Sequence, residues 1–146
     1  MRHIVIRETL IFASIGLSLE LLIVLLLGFG SDTYFLVPVG VSIVGLYLAA
    51  IVLGVVFGRI IDQARLSPNK LFLGGVIIAW LSLIIQVLSG SSVEYFKNIR
   101  HVNAFLDYIF KPFFWVVFLG SIPAIAIGAL YSVRIKWLYD KIEKVP

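Results

Sequence analysis

Four stretches of about twenty or more residues, at 10–29, 36–58, 71–89 and 113–133, run almost free of charge. A helix of that length covers the roughly 30 Å of hydrocarbon in a bilayer. Within lipid every peptide N–H and C=O must find its partner inside the protein, so helices and closed barrels are the two available spanning forms. A barrel needs segments of about ten residues with alternating polarity, and runs such as residues 21–27 show no alternation. The sequence therefore predicts an all-α integral membrane protein, one domain over residues 1–146, with four transmembrane helices.

Composition agrees. The chain is 61% hydrophobic and 14% charged, with a mean hydropathy of +1.08, whereas a soluble domain is about 45–50% apolar and roughly 25% charged. Its formal charge of +4 lies mostly beside the apolar stretches rather than in one basic patch, so the lipid bilayer, and not a nucleic acid, is the expected contact. With no cysteine there are no disulfides and no thiolate metal ligands. Arg2 and Arg7 ahead of an apolar run have the look of a signal peptide, but the run is too long, Glu20 sits in its middle and another span follows closely, so a retained helix is expected.

Lysine and arginine set the expected orientation. Arg2, Arg7, Arg59, Arg65, Lys70, Arg134, Lys136, Lys141 and Lys144 fall on one side, and Lys97, Arg100 and Lys111 on the other. The positive-inside rule then places both ends in the cytoplasm. A prokaryotic cytoplasmic (inner) membrane is the expected location, from the size and the simple charge asymmetry.

The connections differ in kind. Residues 30–34 read as a tight turn, and Ser67-Pro68-Asn69 as a helix start. In the long third connection, Phe96, Ile99, Val102, Leu106, Ile109 and Phe113 recur at spacings of three and four among polar residues. That pattern predicts an amphipathic interfacial helix over about 92–111, lying flat among the headgroups, either as an anchor or as a lid or docking surface. Pro112 suits the first position of the fourth span. Residues 134–146 read as a helical cytoplasmic tail held near the headgroups by Trp137, Tyr139 and lysines.

Glu20 is the most informative single residue. A carboxylate at the centre of a span costs about 2.5–3.5 kcal/mol or more, so it must face protein or water. No lysine, arginine or histidine lies within the four spans, and the groups counted to a similar depth are Tyr47, Ser82 and Ser121. Glu20 is thus either protonated and bonded to a neighbouring acceptor, or ionised and paired with a group or cation from outside the chain. Glu20, Tyr47, Ser82 and Gln86 form the candidate intramembrane set, for function, partner binding or simple cross-helix bonding.

Small residues mark helix faces that pack closely in lipid. Gly54 and Gly58 do so on the second span, Gly75 and Ala79 with Ser82 and Gln86 on the third, and Gly120, Ala124, Gly128 and Ser132 on the fourth. Packing inside the bundle is their simplest use, and a face for another chain the alternative. Pro123 interrupts the fourth span and is expected to kink it.

No nucleophile set, phosphate loop, paired carboxylates or metal-ligand spacing is present, so enzyme activity, a cofactor and a metal are not expected. The leading expectation is a small membrane subunit or accessory protein that packs with a membrane-protein partner, or itself as a homo-oligomer, through its small-residue faces. The alternative is a proton- or cation-coupled transporter or channel using Glu20. A weaker one is a membrane immunity protein that intercepts another protein through residues 91–111.

Overall fold

The computed structural model describes residues 2–26, 36–63 and 67–143. It is all-helical over these residues, with α1 (Arg2–Leu26), α2 (Leu36–Gln63), α3 (Pro68–Lys97) and α4 (Lys111–Glu143). Three of these helices, α2, α3 and α4, are long and apolar enough to cross a membrane. The 25 residues of α1 carry Arg2, Arg7, Glu8 and Glu20 along an otherwise apolar sequence. The expected turn at 30–34, the end of the first apolar stretch at 27–29, Arg65 and Lys144 lie outside the described residues.

Local chemistry explains where the helices begin and how they keep their polar groups satisfied. Pro68 opens α3, at a position where its missing N–H costs nothing, behind an extended Ser67 whose carbonyl accepts the Leu71 N–H at 3.1 Å. Within α1, Thr9, Ser14 and Ser18 each donate a hydroxyl to the carbonyl four residues back, at 2.7, 2.9 and 2.8 Å. These bonds pair each hydroxyl proton of Thr9, Ser14 and Ser18 within the helix.

The third connection differs from the predicted 92–111 helix. Helix α3 continues through residues 92–97, the chain turns over 98–103, and a π-turn at Leu106–Phe110 leads directly into α4. Two residues cause the division. Asn98 turns both its backbone N–H and its side-chain amide back onto the Glu94 carbonyl, at 3.1 and 2.9 Å, which ends α3. Pro112 has no N–H to offer the carbonyl four residues before it, and the Lys111 N–H reaches five residues back to Leu106, widening the turn. The 3.6-residue period was carried by two helices and the turn between them. Its apolar members remain outside all the same: Phe96, Ile99 and Leu106 are exposed and Val102 is 96% exposed.

Helix α4 runs without a break from Lys111 to Glu143, so the fourth apolar stretch and the residues that follow it form one rod of 33 residues. Close approaches show that each helix is antiparallel to its neighbours. Gly54 faces Thr9 and Gly58 faces Arg2 across α1 and α2, Gly90 faces Ser42 across α2 and α3, and Gly75 faces Gly128 across α3 and α4. The bundle is up-down-up-down, and Arg2 and Glu143 lie at the same end of it.

That end holds the core. Val5, Phe57, Ile61, Leu71, Ile78, Tyr131 and Ile135 form one buried cluster drawn from all four helices. The α3–α4 and α2–α3 faces are the most extensive, α1 packs mainly on α2, and the α1–α4 seam is the thinnest. The helices therefore converge at the end that carries Arg2 and Glu143.

Candidate functional site

Glu20 faces the interior of the bundle from the second half of α1. The Gln86 side-chain amide, on the buried face of α3, donates a hydrogen bond to Glu20 Oε2. Gln86 and Ser82 are both buried, at 5% and 6% exposure. Their position follows from the pattern on α3, where Gly75, Ile78, Ser82, Gln86 and Gly90 recur at three- and four-residue spacing and form its buried stripe. One stripe thus brings Gly75 against α4, Gly90 against α2 and Gln86 against Glu20.

Two cavities meet at this pair. The first, of about 320 Å³, lies between α1, α3 and α4 along the thin seam; its walls include Phe12, Ser82, Trp115, Gly120 and Ala124. The second, of about 470 Å³, lies toward the opposite end of the bundle, where Pro38, Ser42, Ser91, Glu94 and Tyr108 line it. Glu20 and Gln86, together with Leu17 and Val116, line both and form the partition between them. A mainly apolar cavity with a few convergent polar groups is the usual form of a ligand site.

The other end of the first cavity is shut. Glu8, 3% exposed, pairs with Arg7 at 2.9 Å and reaches across the seam to Arg134 Nε at 3.5 Å. One turn deeper, Thr9 and Tyr131 share a hydrogen bond of 2.9 Å. Since the Thr9 hydroxyl donates to the Val5 carbonyl, Tyr131 O–H is the donor here. Phe12 meets the edge of Tyr131 at 5.6 Å between ring centroids. This seal rests on Glu8, Thr9 and Tyr131, which sequence reasoning did not single out.

The other sequence-predicted residues separate by role. Tyr47 is not at the site. Its O–H donates to Ser14 Oγ at 2.9 Å, between α1 and α2, because Ser14 already donates to Leu10. Ser121 accepts from the Trp80 indole N–H at 3.0 Å, between α3 and α4. Gly54, Gly58, Gly75 and Gly128 lie against neighbouring helices of the same chain. Ala79, Gly120 and Ala124 line the first cavity, and so does Pro123, within the continuous α4. Gly45 and Gly90, which the sequence reading left aside, bring α2 and α3 together beside Ser89 and Ser42.

Chemically, the pair offers one carboxylate and one amide, with the Ser82 hydroxyl elsewhere on the wall of the first cavity. Such a set can hold one proton or coordinate one monovalent cation; it has the charge for no more. Compared with models of known protein families, with curated proteins and with solved structures, the chain matches none.

Proposed function

We propose that the chain crosses the cytoplasmic membrane of a prokaryote four times, with both ends inside, and carries a proton or a monovalent cation that binds at Glu20. One observation carries this reading. Among the described residues, the one acid in the middle of an apolar helix stands with Gln86 on the partition between two cavities, hydrogen-bonded to that neutral amide. A charged group held in this way is ready to exchange its counter-charge, whereas one bound to arginine is not.

The orientation is supported by charge. Among the described residues Arg2, Arg7, Arg59, Lys70, Arg134, Lys136 and Lys141 belong to the end where α1 begins and α4 finishes, and Lys97, Arg100 and Lys111 to the other. The exposed Phe96, Ile99 and Val102 then lie among the outer headgroups, as an anchor divided by the Asn98 turn. The purified protein in liposomes is expected to show flux driven by a proton or cation gradient, and Glu20→Gln to abolish it. Flux unchanged by that substitution would remove Glu20 from the mechanism.

A second reading, an accessory subunit that packs with a partner or with itself, draws on the thin packing of α1 against α4. Gly54, Gly58, Gly75 and Gly128 already pack within the chain, so such a contact would use other faces. Purification in mild detergent with a stoichiometric partner, or as a defined oligomer, would favour it; a monodisperse monomer in detergent and nanodiscs would oppose it.

A further inference from the structure

The two cavities beside Glu20 differ in what closes them. The first ends at the Glu8–Arg134 and Thr9–Tyr131 contacts, behind the Val5–Ile135 core. The second has no comparable closure among the described residues. From Glu20 it passes Ile43, Ser42 and Gly90 to Ser91, Glu94 and Tyr108, at the end of the bundle where α2 and α4 begin and α3 finishes.

Gln86, Gly90 and Glu94 stand one turn apart on a single face of α3, so the inner and outer polar groups are about 12 Å apart along one helix. Gly90 sits between them, in contact with Ser42 and 3.1 Å, at its notional Cβ, from the Pro38 carbonyl. The Glu94 side chain is 35% exposed and bonded to Lys97 at 3.0 Å. Polar groups thus continue from solvent to the carboxylate, and the space between them is large enough for several waters.

We propose that this second cavity is a water-filled vestibule through which a proton or small hydrated cation reaches Glu20 from the Glu94 end, the opposite approach being closed by the Glu8–Arg134 and Thr9–Tyr131 contacts. The inference rests on Glu20 being the ion-binding group, and its test reads water rather than transport.

The chain has no cysteine, so single cysteines can be placed without a background. Ile43 lines the vestibule next to Glu20, Val39 lines it one turn nearer the mouth, and Val44 is 58% exposed on the outside of the same helix. Full-length Ile43→Cys, Val39→Cys and Val44→Cys are reconstituted in vesicles and treated from each side with a membrane-impermeant cationic methanethiosulfonate. Only a thiolate reacts, and an apolar setting keeps the thiol protonated. Ile43→Cys and Val39→Cys are expected to react from the Glu94 side on the order of tenfold faster than from the other, and Val44→Cys from neither. Ser132→Cys, in the buried α3–α4 contact beyond the seal, is expected to stay unreacted from both sides.

Labelling of Ile43→Cys no faster than that of Val44→Cys, or equal from both sides, would overturn the vestibule. Should Ile43→Cys not fold, Val39→Cys carries the same comparison. One-sided labelling of a protein whose wild type shows no flux supports the vestibule and overturns the carrier reading. Flux that needs Glu20, in a protein whose vestibule cysteines stay unreacted, does the reverse.

Discussion

Glu8 and Glu20 are acids on one helix, twelve residues and so about 18 Å apart, and the fold treats them in opposite ways. Glu8 is bound by Arg7 and Arg134 and closes the seam; Glu20 receives a neutral amide and borders open space. The second was legible in the sequence because a lone charge in an apolar run has no ordinary explanation. The first was not, since an acid in a charged flank reads as solvated until the helix across from it is known. Tyr47 shows the limit of depth counting, which fixes height along a helix but not rotation about it. Its ring lies toward Ser14. At this scale the seal gives a direct test. Tyr131→Phe removes one donor to Thr9 and is expected to lower stability by about 0.5–1.5 kcal/mol in reversible unfolding in mixed micelles. No loss would mean that Thr9 is satisfied by the Val5 carbonyl alone.

Helix identity was easy to read and helix ends were not. Apolar length gave the four rods, but α3 runs eight residues past the expected span, to Lys97, because nothing stops it before Asn98. The amphipathic period over 92–111 was real, yet hydrophobic spacing carries no information about a side-chain amide capping its own helix or a proline widening the turn before it. Small residues in the sequence suggest close helix approach but do not say which pairs meet. The closest approach to backbone is between α3 and α4, where a Cβ on Gly128 would stand 2.6 Å from Val76 Cα and 2.8 Å from the Gly75 carbonyl oxygen. Both obstacles are backbone and cannot swing away. Gly128→Ala is therefore expected to destabilise the protein by about 1–3 kcal/mol. Gly40→Ala, with nothing within 4 Å, provides the neutral comparison, and the two are compared by unfolding in the same micelles. Equal stability of the two variants would mean that α3 and α4 lie farther apart than described.

For the molecule as a whole, the antiparallel order puts Arg2 and Glu143 together and sorts the cations by end. Protease-sensitive tags at the two termini are both expected to be cut in inside-out vesicles and spared in right-side-out ones. Tags cut from opposite faces would refute the four-crossing arrangement. Over the described residues α1 spans 25 residues and α4 33, or about 38 Å and about 50 Å, and the two are joined by the thinnest seam of the bundle. Thickening the hydrocarbon layer would draw the α3–α4 pair upright, while α1, fastened at the arginine-rich foot and only thinly packed on α4, would have to slide or swing to keep its apolar surface covered. The width of the slot beside the carboxylate thus becomes a property that lipid chain length can tune.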